Sequence, residues 1–182
     1  MIPKKETLKL VKMEALKQYL ALYLFSNLIF GLCILGALKK PMWARLFLAG
    51  FFLWACYLNS TLVVKLPEVY LDYGKFTFSS FYREFIYGYF SQHTKTIIHI
   101  IAFGQFLLFL GLLLNRTWTK LACIGGIIFG LAIAPLGVGA AFPATISMAI
   151  AFFILLKNYK HDFIWNWRQY KNETFIYRKP SK

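Results

Sequence analysis

The sequence predicts an all-α integral membrane protein: a four-helix transmembrane bundle with one extra N-terminal span and an interfacial aromatic segment. Three observations carry this reading. Of 182 residues, 59% are apolar and 15% charged, against roughly half and a quarter in a soluble domain. Several charge-free apolar runs approach twenty residues, and a helix of that length covers roughly the 30 Å of a bilayer's hydrocarbon core. The 21 Lys and Arg, set against 7 Asp and Glu, gather at the ends of those runs, where cations meet anionic headgroups and bias topology. The same balance excludes a disordered tail, a fibrous repeat and an ordinary soluble domain. A net charge of +14 invites comparison with nucleic-acid binders. Here the cations flank apolar runs instead of forming a soluble basic face, so no nucleic-acid partner is expected.

Residues 1–18 form a basic, helix-prone arm. Leu8, Val11, Ala15 and Tyr19 recur on one helical face, with Lys5, Lys9 and Lys12 mostly on the other, the pattern of an interfacial approach to a span. A basic start before an apolar run also resembles a secretory signal, but this run is too long for a signal core and lacks a small-x-small cleavage site, so it reads as a retained span. A single transmembrane domain then covers 19–157, with spans at about 19–38, 46–64, 96–114, 121–135 and 140–156. Lys39, Lys40 and Pro41 close the first, and Arg45 and Lys65 bracket the second. Asn59, Ser60 and Thr61 occupy the second span's last turns, where they can bond to backbone or to neighbouring helices.

Residues 66–92 hold ten Phe or Tyr together with Glu68, Asp72, Lys75, Arg83 and Glu84. That is too charged to span and too aromatic for a free aqueous loop, so it reads as an interfacial, partly helical cap. Phe78, Phe81, Tyr82, Phe85 and Tyr89 fit one helical face of it. The small-residue stretch at 135–143 carries no charge and reads as a bend held at the interface or tucked into the protein. The tail, 158–182, is basic and aromatic and reads as an interfacial helix with a free end.

Candidate functional residues are few. His99 and Gln105 lie inside the third span, and an intramembrane ionisable group is a functional candidate by default. Six residues apart, they do not strictly share a face. Arg83 and Glu84, with Glu68 and Asp72, form a mixed-charge cluster suited to a polar headgroup or a quinone carbonyl, or to an ion-paired cap. Ala122, Gly126, Gly130 and Ala134 recur every four residues, a stripe that lets helix backbones approach closely, either inside one bundle or across a dimer seam. Cys33, Cys56 and Cys123 each sit alone in apolar runs, which argues against a disulfide framework or a zinc site, so no metal is expected. Bis-histidine haem needs two axial ligands, and neither His93 nor His161 offers His99 an intramembrane partner. No Ser-His-Asp, phosphate-cradling glycine loop or HExxH pattern is present, so no catalytic residue is assigned.

The stretch GQFLLFLGLLLNRTWTKLACIGG (104–126), with YRE at 82–84 and APLG at 134–137, resembles DoxX-like small membrane proteins over about residues 43–157. The resemblance implies a four-helix membrane bundle, with the first span as an extra, and a bacterial inner-membrane location. Some members resemble the small subunit of a thiosulfate:quinone oxidoreductase. Bundles of similar shape occur in vitamin K epoxide reductase, but the chain has no CxxC for thiol chemistry. The leading expectation is a non-catalytic accessory subunit of a larger membrane assembly, with the bilayer and other subunits as partners and no cofactor. The alternatives are a membrane subunit of a quinone-linked oxidoreductase, with quinone as ligand, and a lipid or small-molecule binding or transport protein. Counting Lys and Arg gives nine on the side of the N-terminus and twelve on the side of the C-terminus, which favours a cytoplasmic C-terminus.

Overall fold

The computed structural model describes residues 5–158, with side chains at 20, 21 and 23–158. Every regular element among them is helical. Helix α1 spans Lys5–Lys39, and α2 spans Pro41–Lys65. After a 3₁₀ turn at Pro67–Asp72 come the short helices α3 (Tyr73–Phe76) and α4 (Ser80–Phe85). A π-helical turn, Ile86–Phe90, joins α4 to α5 (Ser91–Leu113). Helix α6 (Arg116–Ile133) runs into a 3₁₀ segment, Ala134–Ala140, and α7 (Ala144–Asn158) completes the set.

Three helical runs are long and apolar enough to cross a membrane: Pro41–Lys65, Ser80–Leu113 and Arg116–Ala140. Shorter apolar stretches lie at Tyr23–Lys39 in α1 and Ala144–Asn158. Their outward faces are apolar. Leu24, Phe25 and Leu28 on α1, Trp54 and Tyr57 on α2, Ile100 and Phe103 on α5, and Ile128 and Leu131 on α6 are all exposed. Soluble monomers rarely tolerate apolar surface on that scale, whereas lipid is a good solvent for it. Polar side chains are conversely found inside, including Arg45, Gln105 and Thr119.

The long helices close on one another: α1 packs on α2, α2 on α5, α5 on α6, α6 on α7, and α7 back on α1. Helix α1 is therefore a member of the packed set and not an appendage to it. One core cluster draws Phe30 and Cys33 from α1, Leu48 and Phe52 from α2, and Cys123, Met148 and Phe152 from α6 and α7. A second gathers Val63, Tyr70, Ile86, Phe90 and Ile98 around the 3₁₀ turn.

Helix ends explain the hairpins. A single residue, Lys40, separates α1 from α2, and Pro41 starts α2 where its missing N–H costs nothing. At the α5–α6 turn the C-terminal carbonyls of α5 need donors. Arg45, wholly buried in the second turn of α2, supplies them: its guanidinium donates to the carbonyls of Leu112 and Leu114. The one proton of Thr119 Oγ1 is shared between the Leu114 carbonyl at 2.9 Å and that of Gly111 at 3.2 Å. Arg45, expected from sequence to flank a span, is instead an internal tie between the two hairpins.

The small-residue stripe on α6 is used within the chain. Ala122, Gly126, Gly130 and Ala134 are all buried. A methyl group on Gly126 would collide with the Phe152 ring of α7, and one on Gly130 would come within 2.8 Å of the Thr145 carbonyl oxygen. Gly111 shows the same closeness to Ala122, at 2.8 Å. The stripe thus seats α7 and the end of α5.

The aromatic segment departs from its sequence reading. It is not one amphipathic face. Phe78 precedes α4, where its ring meets Phe142 edge-on with centroids 5.2 Å apart. The π-turn then inserts an extra residue into the helical repeat and rotates the faces of α5 relative to those of α4. Non-helical backbone at Gly88 (φ −96°, ψ −107°) and His93 (φ −122°, ψ 20°) bends the run twice. Phe81 and Tyr89 point outward. The stretch at 135–143 tucks inward: the Pro135 carbonyl accepts from Phe78 N at 3.0 Å and from Thr77 Oγ1 at 2.7 Å. Gly137 adopts φ +75° against the Phe76 carbonyl, a position with no room for a side chain. The tail beyond residue 158 lies outside the described residues.

Substitutions at two of these contacts test the packing. Arg45→Met takes its donor from the buried Leu112 carbonyl, leaves that of Leu114 to Thr119 alone, and should lower stability by about 3 kcal/mol, read as an earlier thermal unfolding transition in detergent micelles. Gly126→Ala should cost about 1–3 kcal/mol by overpacking. The double variant Gly126→Ala/Phe152→Leu should recover part of that loss, whereas Gly130→Ala, which meets backbone, should not be rescued by Phe152→Leu.

Candidate functional site

The bends at 66–79 and 134–143 cover one end of the helix set, and beneath them lies a cavity of about 350 Å³. That volume falls at the lower end of small-molecule pockets, about 300–1,000 Å³. Each surrounding element contributes to the lining. Helix α2 presents Phe51 and Asn59, the 3₁₀ turn Tyr70, and α3 Tyr73. Helix α4 and the π-turn add Tyr82, Phe85 and Phe90. Helix α5 turns Ile97, Ile98, Ile101 and Gln105 inward, and α6 closes the far wall with Phe129, Ala132 and Ile133.

A polar chain runs along one wall. The Tyr70 hydroxyl donates to Asn59 Oδ1 at 2.9 Å, and Asn59 Nδ2 donates to Gln105 Oε1 at 2.9 Å. Three elements are joined by these two bonds, with Gln105 only 4% exposed. On the opposite side the Tyr82 hydroxyl donates to the Ala132 carbonyl at 2.7 Å, bridging α4 and α6. Burial pushes the Tyr70 hydroxyl up to about 12, with neighbouring Tyr73 adding to the shift. Burial raises Tyr73 as well. Both phenols therefore remain neutral donors at physiological pH. The described lining contains no Lys, Arg, His, Asp or Glu.

The structure separates the residues that sequence reasoning grouped. Gln105 lines the cavity, and His99 does not. A helix turns about 100° per residue, so the inward face built on Ile98, Ile101 and Gln105 leaves His99 exposed. Its Nδ1 lies 2.6 Å from the Lys95 carbonyl, which can only accept, so Nδ1 carries the proton. Arg83 is a structural tie: Nε donates to the Gly74 carbonyl at 3.3 Å and Nη2 to that of Thr77 at 3.4 Å, fastening α4 over α3. Glu84 is exposed. Among the described residues Arg83 and Glu84 form no ion pair, and the pair in this segment joins Asp72 to Lys75 at 2.6 Å. No group of three or more His, Cys, Asp or Glu suited to a metal occurs among the described residues.

Sequence reasoning marked Asn59 only as a residue able to bond to a neighbouring helix. Its partner is Gln105, forty-six positions along the chain. An intramembrane Asn and an intramembrane Gln are each signals, since both must find partners in lipid. Nothing in one sequence pairs them, and nothing marks Tyr70, one of ten aromatics in its segment, as their third member. No family model, curated protein or solved structure matches this chain.

Removing the hydroxyl that anchors the polar chain gives a pH-resolved test. Because Tyr70 titrates near 12 in the folded protein and near 10.0 as a free side chain, the unfolded state loses its proton first as pH rises. The stability this group contributes is complete below about pH 10 and is lost as pH climbs towards 12. Tyr70→Phe should lower stability by about 1 kcal/mol at neutral pH. Thermal unfolding of this variant, carried through the alkaline range, should then show a shallower decline than wild type.

Proposed function

We propose that this chain is an integral membrane protein whose helices form a half-open binding site for a lipid-soluble small molecule. The observation that carries the proposal is the cavity of about 350 Å³, apolar and aromatic in its walls with one organised polar edge. Apolar walls with a few placed polar groups are the usual form of a small-molecule site. The site does not depend on His99 or on an Arg83–Glu84 pair. The α6 stripe, which could have served as a seam for other subunits, seats α7 instead. An accessory role in a larger assembly would therefore have to use another face. In this reading the DoxX-like resemblance supports the architecture alone, and α1 joins the bundle as a fifth span.

The orientation proposed places the C-terminal end of α7 in the cytoplasm. The end of the molecule where α1 meets α2 and α5 meets α6 carries Lys39, Lys40, Arg116, Lys120 and Lys157, and no carboxylate among the described residues. At the opposite end Lys65, Lys75, Arg83 and Lys95 are joined by the cations at the start of the chain, so the count over the full sequence, tail included, is twelve on the side of the C-terminus against nine on the other. Cation-rich ends stay on the cytoplasmic side.

Native mass spectrometry of protein extracted in a mild detergent tests the binding reading. Wild type should carry an additional small-molecule mass, and Ile101→Trp, which fills the cavity from α5, should lose it while keeping its helical circular dichroism. An unliganded wild type that takes up an environment-sensitive lipophilic dye no better than Ile101→Trp would overturn it.

A further inference from the structure

We infer that the cavity selects a neutral, ring-bearing lipid whose polar end is a hydrogen-bond-accepting carbonyl, and that Gln105 is the group that reads that carbonyl. This rests on the cavity being a binding site.

The direction of the polar chain decides which atoms face the ligand. Tyr70 occupies Asn59 Oδ1, so Asn59 turns its Nδ2 towards Gln105, and Gln105 answers with Oε1. The amide nitrogen of Gln105 is left over. It has no hydrogen-bond partner among the described residues, yet it is not among their fully enclosed unpartnered polar atoms. Gln105 is only 4% exposed and lines the cavity, so that nitrogen opens onto it. A donor in this position carries a desolvation cost that an acceptor on a ligand would relieve. Tyr73, also on the lining, forms no side-chain hydrogen bond among the described residues and is the second available donor.

Charge and acceptor supply narrow the ligand further. With no ionisable cation or carboxylate in the described lining, a phosphate, carboxylate or ammonium end would be buried without a counter-charge, a strongly unfavourable arrangement. The guanidinium on α4, that of Arg83, is committed to the Gly74 and Thr77 carbonyls. A ligand ending in a donor meets acceptors that each already hold a bond, the Ala132 carbonyl from Tyr82 and Gln105 Oε1 from Asn59. The rings of Phe51, Tyr73, Tyr82, Phe85 and Phe129 offer flat apolar surface to a ring.

The test uses the full chain in lipid nanodiscs and three probes of equal length: an alkyl phenyl ketone, the matching alkylbenzene and the matching alkylphenyl phosphate. Binding is read by isothermal titration to wild type, Gln105→Leu, Tyr73→Phe and Ile101→Trp, against empty nanodiscs. The expected result is a ketone bound about tenfold tighter than the alkylbenzene, the effect of one buried hydrogen bond, with the phosphate weakest. Gln105→Leu should remove the ketone's advantage and leave alkylbenzene affinity within about twofold. Tyr73→Phe, which leaves α5 intact, should reduce the advantage even where Gln105→Leu fails to fold. Ile101→Trp should abolish specific binding of all three. If the probes bind and Ile101→Trp blocks them, but the ketone has no advantage, the phosphate binds best, or the advantage survives in both donor variants, the carbonyl inference is overturned and the cavity reading stands. If none binds above empty nanodiscs, or Ile101→Trp blocks nothing, both fall.

Discussion

Two donors from one stretch of chain, the Thr77 hydroxyl and the Phe78 amide, converge on the carbonyl of Pro135. In a membrane protein non-helical backbone is tolerated only where its polar groups are satisfied by other protein groups. The bends at 66–79 and 134–143 meet that requirement by serving each other. Their contact depends on glycine at 137, where the Phe76 carbonyl leaves no space for a side chain, and at 139, where Tyr73 packs 2.9 Å from the position of a methyl group. Held in this way, the bends bring Tyr70, Tyr73 and Leu136 over the helix ends. Without that junction the space between α2, α5 and α6 would have no roof and the Asn59–Gln105 pair no third partner.

The inside of the bundle obeys the same logic at both ends. Near the α5–α6 turn the carbonyls of Leu112 and Leu114 are served by Arg45 and Thr119. Near the cavity the Asn59 amide nitrogen serves the Gln105 carbonyl oxygen. Between them the packing is close-set and apolar, with Phe52 meeting Phe129 and Phe152 at centroid distances of 5.6 and 5.7 Å. The polar groups fix which helix faces which. Small residues then fix how near they come.

Much of the architecture is legible in the sequence because lipid imposes a crude code. Charge-free runs of span length mark the helices, and Pro41 and the Asn115–Arg116 step mark where they turn. The α6 stripe announces close packing, though not its partner, since a Gly-rich face looks alike whether it meets α7 or another chain. Three things are hidden. Arg45 reads as a flanking cation because nothing in its neighbourhood reveals two carbonyls that arrive from residues 112 and 114. The run from Ser80 to Leu113 reads as a cap and then a span, because Arg83 and Glu84 break the apolar pattern. In the fold Arg83 is absorbed by the Gly74 and Thr77 carbonyls, which allows the helix to begin earlier. The cavity is hidden too, being built from single residues on scattered elements with no common spacing.

The sequence separation of the Arg45 tie has a consequence for biogenesis. The guanidinium lies sixty-seven positions ahead of the Leu112 carbonyl. In synthesis from the N-terminus, Arg45 is made well before the carbonyls of Leu112 and Leu114 that it serves. It sits one helical turn from the start of α2, where a long side chain can reach the end of the helix set. The α1–α2 hairpin on its own therefore leaves this tie unmade, and the tie closes only when the second hairpin is in place. In this way a single buried cation makes the earlier half of the chain depend on the later one for its completion.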